Sequence, residues 1–416
     1  MYRDRAFWGM TVTQFLGAFN DSVFKQILLL LTVEVVVTAS SKPMDLQWLA
    51  NQIFSIPFVL LSGTAGFWAD RVSKRSIVIL CKVAEFAVML SGTLAFRAYT
   101  GGVPWGLLCV LFFMGAQSAV FGPAKYGILP EMVRARDLPR FNGIIQMTTF
   151  IALILGIPLA GSLVHRLGQE RLWMAGCFCM GIALLGTLTS LLVRRTPIAH
   201  PGARFNWQSV AVSRETWEML KTDAALRMAL LVYCLFWFVA AVVPLATNAV
   251  GIRQLGLNEE DTSLMLACVA IGIAVGCALA GWLSAERVSF RLVRIGAWGI
   301  CLGLLLLAIV PAVGFSTAVA YRGCQLVLGA AGVFTGLLAV PLQVFLQSRP
   351  PDEQKGRVIG TMNLVNWIGI ILSGVYYLLC QIVMDWFGFP PSGTFAITAV
   401  LLLPVAWAYH PEDAKL

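Results

Sequence analysis

An acid and a base lie four residues apart inside a strongly apolar run near the start of the chain. The stretch QFLGAFNDSVFKQ (14–26) holds Asp21 and Lys25, with Asn20 beside the acid and Gln14 two helical turns before it. Residues four apart share one face of a helix, so Asp21 and Lys25 can pair with each other. A charge at the bilayer centre costs at least about 2.5–3.5 kcal/mol. We therefore expect this polar face to meet other protein or an aqueous cavity and not lipid.

The composition indicates that most of the chain is surrounded by lipid or by other apolar helices. Of 416 residues, 58% are hydrophobic and only 12% are charged, about half the charged share of an ordinary soluble protein. The basic residues give a net charge of +9 but form no patch, which argues against a nucleic-acid partner. No short apolar region with a cleavage site precedes the first long run, so we expect no removable signal peptide. The ten cysteines lie in or beside apolar segments and the three histidines are far apart, so we expect no disulfide framework, metal site or cofactor.

Twelve apolar runs are long enough to cross a bilayer, which takes about 20 residues. We therefore predict an all-α membrane protein with twelve transmembrane helices, at residues 8–38, 45–68, 76–98, 103–122, 141–164, 172–193, 225–249, 262–284, 292–312, 317–346, 357–382 and 391–409. Most of the 30 basic residues lie at the N-terminus and in the connections that follow even-numbered helices. The positive-inside rule then places both termini in the cytoplasm.

The helices divide six and six around one long polar connection. We predict an N-terminal half at 1–193, a cytoplasmic central loop at 194–224 and a C-terminal half at 225–416. The second part of the loop has apolar residues partly at helical spacing, Trp217 and Leu220 among them. That pattern fits either a short amphipathic helix on the membrane surface or a plain linker.

The two halves carry related segments. GFWADRVSKRSIV (66–78) and GWLSAERVSFRLV (281–293) both contain a glycine, an acid, Arg-Val-Ser and then a basic residue. Such repeats predict two pseudo-symmetric halves, with an axis along the membrane normal and a substrate path between them. Gly272 and Gly276 also place small residues on one helix face, which predicts a close helix approach.

The first of these segments resembles the loop 2–3 signature of the major facilitator superfamily: a glycine, three residues, Asp-Arg and a basic pair. The resemblance implies the major facilitator fold and a cytoplasmic gate, formed by Gly66, Asp70, Arg71, Lys74 and Arg75 with Glu286 and Arg287 as second-half counterparts. Asp70 at a helix end can pair with arginine or accept from a neighbouring helix N-terminus, which locks such a gate. The alternative is a cluster of topology charges with no gating role.

A finer resemblance rests on three stretches. The helix 1 stretch 14–26, FGPAKYGILPEMV (121–133) and FNGIIQMTTFIALILGIPLAGSLV (141–164) are similar to the bacterial lysophospholipid transporter family, most clearly over the first 165 residues. That family implies a monomeric secondary transporter of the bacterial inner membrane, which moves lysophosphatidylethanolamine-like lipids from the outer to the inner leaflet by alternating access. An acyltransferase or acyl-ACP synthetase partner then re-acylates them. The sequence ends at HPEDAKL, so we expect that partner either to be a separate protein or to be a fused domain that has been cut away.

The resemblance also suggests how a zwitterionic head group is held. Asp21 matches the helix 1 acid of the family and is expected to hold the ammonium, with Asn20 and Gln14 on or near the same face. Lys125 resembles a lysine of the family and Lys25 lies closer to Asp21, so either can receive the phosphate. Asn363 is a second-half candidate.

One departure from the family pattern stands out in helix 7. Members of the family carry an arginine there, whereas Pro244 stands at about that place in this chain. Lys25 is the residue that can replace the missing cation. In helix 3, Lys82 and Glu85 lie three residues apart and are expected to face each other, either as a packing pair or as cavity polar groups.

Two other functions compete with lipid transport. One is proton-coupled efflux of amphiphilic drugs or other small solutes, with Asp21 as the coupling acid, because one fold hosts many substrates. The other is a membrane-embedded enzyme or a docking module for an acyltransferase. The sequence contains no nucleophile–base arrangement, metal cluster or phosphate-binding glycine loop, so we expect no catalysis.

Overall fold

The computed structural model describes residues 5–36, 43–132, 138–195, 214–283, 287–350, 355–409 and 414–415. In the first part of the chain the helices are α1 (Arg5–Leu31), α2 (Gln47–Arg71), α3 (Lys74–Ala98), α4 (Trp105–Met132), α5 (Leu138–Arg171) and α6 (Trp173–Ser190). In the second part they are α7 (Arg214–Thr222), α8 (Ala224–Ala249), α9 (Glu259–Leu283), α10 (Phe290–Ile309), α11 (Thr317–Ser348), α12 (Lys355–Phe387) and α13 (Gly393–Ala408). A π-helical turn, Val250–Gln254, continues α8. Two short strands, β1 (Arg287–Val288) and β2 (Ala414–Lys415), pair antiparallel.

Each predicted membrane helix corresponds to one long helix, which confirms the twelve-helix, all-α architecture. Within the described residues, nine helical stretches are long and apolar enough to span a bilayer, and Gln47–Leu61 and Gly393–Ala408 are shorter apolar helices. Helix α1, with Asn20, Asp21 and Lys25 inside it, falls in neither group. The protein is therefore a multi-pass membrane protein whose first helix is unusually polar.

Helix α1 ends at Leu31, well before the predicted end at residue 38. The next residue, Thr32, turns its hydroxyl back to the Leu28 carbonyl at 2.7 Å, and its own carbonyl accepts the Leu46 N–H at 2.7 Å. Beyond it, Val35 and Met44 form an isolated antiparallel bridge. The backbone groups after Leu31 thus find partners across a turn instead of along a helix.

Helix α4 continues to Met132, so the stretch GPAKYGILPE is helical and is not the loop that the sequence predicted after residue 122. Ala124 and Ile128, four residues apart, are completely buried in a core that also contains Phe7 of α1 and Val78 of α3. Packing of this face stabilises the extra turns although the stretch is less apolar than the helix before it.

The chain divides into two compact units, Met1–Val210 and Ala211–Leu416. Within each unit the first long helix packs on the fifth, the second on the fourth, and the third on the fourth and sixth. These pairs are α1–α5, α2–α4, α3–α4 and α3–α6 in the first unit, and α8–α12, α9–α11, α10–α11 and α10–α13 in the second. The same pairing occurs twice, which confirms the predicted pseudo-symmetric halves.

Helices α9 and α11 approach each other through glycines, as the small-residue face predicted. A Cβ added at Gly272 would lie 2.1 Å from the Gly329 carbonyl oxygen, and one at Gly276 would lie 2.1 Å from the Val333 carbonyl oxygen. A backbone carbonyl inside a packed helix cannot move aside as a flexible side chain can, so the two helices must separate to admit a methyl group.

We expect Gly276→Ala to destabilise the second unit by about 1–3 kcal/mol, the usual cost of overpacking. The matched control is Gly281→Ala on the same helix, where an added Cβ meets nothing within 4 Å. Because both changes raise helix propensity equally, only the steric cost differs. Thermal unfolding in detergent should show a lower melting temperature for Gly276→Ala alone, and equal melting temperatures would contradict the packing.

The helical alternative for the central segment is confirmed at α7, while residues 196–213 lie outside the described part of the chain. Helix α7 buries Leu220 and leaves Trp217 54% exposed. Arg227 of α8 donates to the Leu220 and Lys221 carbonyls at 2.9 and 3.0 Å, which satisfies the C-terminal end of α7. Helix α7 is therefore fixed to the second unit.

Asp223 begins α8 as its N-cap and joins it to the end of α11. Its side chain accepts the Leu226 N–H at 3.0 Å and the Arg349 Nε–H at 2.9 Å. Partial burial disfavours the charged carboxylate, but these hydrogen bonds and the Arg349 charge outweigh it, so the pKa of Asp223 lies below its ordinary value of 3.8. The carboxylate is thus charged at neutral pH and stabilises the junction.

We expect Asp223→Asn to lower stability by about 0.2–1 kcal/mol near neutral pH, because Arg349 is half exposed and an amide can still cap the helix. A lowered folded-state pKa gives stability that is complete above the unfolded-state pKa and lost as pH falls through the folded-state value. The difference in melting temperature between wild type and variant should therefore be constant from pH 5 to 8 and shrink below about pH 4. A difference that grew on acidification would contradict the bridge.

Candidate functional site

Gln14 joins α1 to α5. Its Nε2 donates to the Thr149 hydroxyl at 2.5 Å, and its Oε1 accepts from the Thr148 hydroxyl at 3.0 Å. The side chain is 1% exposed. Both ends of the amide are thus used in helix packing, and the structure does not bring Gln14 together with Asp21.

Asp21 faces α4. One carboxylate oxygen, Oδ2, accepts from the Ser118 hydroxyl at 2.6 Å, and that hydroxyl in turn accepts from Gln117 Nε2 at 2.8 Å. The other oxygen, Oδ1, is buried and has no hydrogen-bond partner among the described residues, and the same holds for Gln117 Oε1. Two hydrogen-bond acceptors in this region therefore have unused capacity, which suits a ligand rich in N–H donors.

Lys25 faces α2. Its Nζ donates to Asn51 Oδ1 at 3.2 Å and lies 4.6 Å from the centre of the Phe54 ring. Both partners are neutral, and a cation over an aromatic face gains about 0.5–2 kcal/mol. Neither contact of Lys25 is therefore with a carboxylate, so the ammonium can accept an anionic group.

The direct Asp21–Lys25 ion pair that the spacing allowed is replaced by these separate contacts. The two residues lie on one side of α1, but Asp21 bonds to α4 while Lys25 bonds to α2. We name the set Asp21, Lys25, Asn51, Gln117 and Ser118 the helix 1 site. It offers a carboxylate and an ammonium about one helical turn apart, each held by a neutral partner.

Asn20 belongs to a second, fully enclosed group that we name the buried ion pair. Lys82 Nζ contacts Glu85 Oε2 at 2.5 Å, and the two side chains are only 2% and 1% exposed. Asn20 Nδ2 donates to Glu85 Oε1 at 3.0 Å. A Cβ at Gly17 would lie 2.2 Å from Lys82 Nζ. The ammonium group of Lys82 therefore packs against α1 at a glycine, where α1 has no side chain. The predicted Lys82–Glu85 contact is confirmed, and Asn20 attaches α1 to it.

Lys74 and Arg75, predicted to form part of a gate, bind neighbouring helices of their own unit. Lys74 pairs with Glu131 at the end of α4. Arg75 donates from Nε to the Val193 carbonyl at 2.6 Å and from Nη2 to the Leu191 carbonyl at 3.2 Å. These bonds satisfy carbonyls just after α6 that would otherwise lack partners. Both residues therefore fix one end of α3.

Two other predicted gate residues, Gly66 and Arg71, lie near the C-terminal end of α2. Arg71 is exposed and lies 5.8 Å from the Phe67 ring, and a Cβ at Gly66 would meet no atom within 4 Å. The side chains of Asp70 and Arg287, and all of Glu286, lie outside what the structure describes.

Two more predicted substrate residues lie outside the helix 1 site. Lys125 on α4 is partly buried, with Nζ 4.5 Å from the centre of the Tyr126 ring. Asn363 on α12 is exposed, while its neighbour on the next turn, Asn366, is buried. These contacts leave Lys125 as an alternative cation for a phosphate.

Arg253 is a cation in the second unit that the sequence did not single out as a site residue. Between Arg227 and Arg253 the chain has no charged residue, and Pro244 lies inside α8. Arg253 lies on the π-helical turn, with Nη2 3.7 Å from Asp385 Oδ1. It borders a cavity of about 280 Å³ that Tyr377 and Gln381 also line. This cavity lies at the opposite end of α8 from Asp223.

Sequence reasoning also missed Asn51, Gln117 and Ser118. Each is a polar residue inside an apolar stretch: Asn51 lies in α2, and Gln117 and Ser118 lie in α4. The argument that singled out Asp21, that a polar residue in a membrane helix needs a partner, applies to them equally. The sequence contains that signal but does not show which helix face meets which.

Relatives of this chain are named as transporters. The chain is 26% identical over 388 residues to the lysophospholipid transporter LplT of Serratia proteamaculans (strain 568), covering 91% of this chain and 89% of the relative. It is 26% identical over 418 residues to the lysophospholipid transporter LplT of Salmonella arizonae, covering 97% and 95%.

Solved structures show the same fold at lower identity. The nucleoside transporter NupG matches with a TM-score of 0.69 and 14% identity, covering 97% of this chain and 98% of that one. A bacterial homolog of the human lysosomal transporter Spinster matches with a TM-score of 0.70 and 14% identity, covering 98% and 96%. The family model of the Major Facilitator Superfamily matches residues 10–374. With twelve long helices in two units that share their main helix pairs, the chain belongs to the Major Facilitator Superfamily.

Proposed function

We propose that this protein is a carrier that moves lysophospholipids with a zwitterionic, ethanolamine-type head group across the membrane by alternating access. The similarity to transporters named for lysophospholipids, along nearly the whole chain, supports the substrate class. The membership of a transporter superfamily supports carriage instead of catalysis.

The helix 1 site is the observation that carries the proposal. An ethanolamine head group presents an ammonium and a phosphate joined by a short linker, and Asp21 and Lys25 present the complementary charges one helical turn apart. The two side chains do not contact each other directly, since Asp21 bonds to Ser118 and Lys25 to Asn51. In this proposal the ammonium binds at Asp21 Oδ1 and Gln117 Oε1, the buried acceptors without partners among the described residues.

We also propose a direction of transport and an orientation of the protein in the membrane. The lipid moves from the outer to the inner leaflet of a bacterial cytoplasmic membrane, and both protein termini lie in the cytoplasm. An acyltransferase or acyl-ACP synthetase then re-acylates the product. The carrier works as a monomer, with Asp70, Arg71, Glu286 and Arg287 at the cytoplasmic gate.

The test is leaflet-resolved transport in proteoliposomes. Labelled lysophosphatidylethanolamine is added to the outer leaflet, and the fraction that becomes protected from extraction is measured with purified protein and with empty liposomes. We expect protein-dependent protection. Absence of it with correctly folded protein, together with pH-gradient-driven transport of an amphiphilic dye, would favour the drug-efflux alternative and overturn the lipid assignment.

A carboxylate control makes the assay specific. Glu34→Gln removes a negative charge from an exposed residue just after α1, in the same way that Asp21→Asn removes one from the helix 1 site. We expect transport to survive Glu34→Gln and not Asp21→Asn. An equal loss in both variants would point to net charge and not to the site.

A further inference from the structure

An open groove lies on the surface of the second unit where α10 meets α11. It has a volume of about 660 Å³, within the range of about 300–1,000 Å³ found for small-molecule sites. Its lining comes from Arg291, Arg294, Ile295, Trp298 and Leu302 of α10 and from Phe334 of α11. None of these residues belongs to the helix 1 site or to the predicted gate.

A glycine allows the two helices to approach closely beside the groove. At Gly299 an added Cβ would lie 2.1 Å from the Phe334 ring, so the ring rests directly on the bare backbone of α10. The ring packs on α10 at this level and lines the groove together with Gly299. Trp298 and Leu302, 43% and 59% exposed, form the walls.

The lining residues follow one face of α10 with the charges at one end. Arg291 and Arg294 are three apart, and Ile295, Trp298 and Leu302 continue the same face at intervals of three or four. From Arg294 to Leu302 the helix rises about 12 Å. Among the described residues neither arginine forms a salt bridge with a carboxylate. The face is therefore an amphiphilic stripe, cationic at one end and apolar along the rest.

We propose that this groove binds an anionic phospholipid of the surrounding membrane. Arg291 and Arg294 hold the phosphate, because guanidinium groups match phosphate oxygens bidentately. One acyl chain lies along Ile295 and Leu302 against Trp298 and Phe334. Basic pockets between membrane helices bind anionic head groups in this way.

The chemistry distinguishes this ligand from the alternatives. A free phosphate ion would use the arginines but not the apolar floor. A zwitterionic phospholipid would bring an ammonium close to two guanidinium groups, which is unfavourable. The ligand with one net negative charge and an acyl chain uses both ends of the stripe, and the inference does not depend on what the helix 1 site transports.

The test is lipid retention by the purified protein, read by native mass spectrometry after incubation with mixed micelles. Phosphatidylglycerol, phosphatidylethanolamine and inorganic phosphate are offered separately and in competition. We expect wild type to retain phosphatidylglycerol with at least about a tenfold preference over phosphatidylethanolamine. Equal retention of the two lipids, or displacement of phosphatidylglycerol by inorganic phosphate at similar concentration, would overturn the proposal.

Variants separate the two ends of the groove. Arg291→Gln with Arg294→Gln should lower phosphatidylglycerol retention about tenfold, whereas Arg97→Gln with Arg322→Gln, the same loss of charge on α3 and α11 away from the groove, should not. Leu302→Trp keeps both arginines and fills the apolar part, and should also lower retention. Full retention by the arginine double variant, with an unchanged elution volume and helical content, would contradict the site.

Discussion

Replacement of Glu85 by alanine is expected to destabilise the first unit by about 3–5 kcal/mol, the cost of leaving one partner of a buried ion pair alone. Glu85 and Lys82 are 1% and 2% exposed, so water cannot replace the lost carboxylate. The Asn20 amide loses its acceptor at the same time. Because Gly17 of α1 rests against the lysine head, the unpaired ammonium also weakens the contact between α1 and α3.

Thermal unfolding in detergent, followed by circular dichroism, measures this loss. The control is Glu34→Ala, an exposed acid whose removal should change stability by no more than about 0.5 kcal/mol. A double change, Lys82→Met with Glu85→Leu, should be less damaging than Glu85→Ala because it removes both charges together. If Glu85→Ala melted at the same temperature as Glu34→Ala, the buried ion pair would have no structural role.

The second large effect is expected when Lys25, the residue proposed to bind the phosphate of the lipid head group, is replaced. Lys25→Gln should reduce uptake of lysophosphatidylethanolamine and lysophosphatidylglycerol alike by about 10- to 100-fold, because both carry a phosphate and a hydrogen bond to a charged group contributes about 1.5–3 kcal/mol. Lys25→Arg should retain most uptake, since the charge persists. Lys221→Gln, an exposed lysine on α7, serves as the control. Wild-type uptake in Lys25→Gln would contradict the role of Lys25, and a loss in Lys125→Gln instead would move the phosphate to that residue.

The helix count followed from the sequence because a bilayer sets the length of an apolar run, and twelve such runs have only one simple interpretation. Helix ends were harder to predict. α1 stops early because Thr32 and Leu46 pair across a turn, and α4 runs long because Ala124 and Ile128 are buried by neighbours. Both causes are tertiary contacts, which hydropathy does not contain.

The sequence predicted only part of the site, again because it does not contain the tertiary contacts. Spacing placed Asp21 and Lys25 on one side of α1, but it could not show that α4 and α2 offer Ser118 and Asn51 as nearer partners. Asn20 directly precedes Asp21, yet a rotation of about 100° per residue directs it to Glu85. Motif resemblance likewise identified Lys74 and Arg75 without showing that they bind the ends of α4 and α6.

The most direct test of the central claim, that Asp21 binds the ammonium of a zwitterionic lysolipid, is the ratio of two uptake rates. Asp21→Asn keeps the size of the side chain and an oxygen for Ser118 while it removes the charge. Lysophosphatidylethanolamine carries an ammonium and lysophosphatidylglycerol does not, so the ratio of their uptake in proteoliposomes should fall at least about tenfold in the variant relative to wild type. A fall of equal size for both lipids, or an unchanged ratio, would contradict the claim.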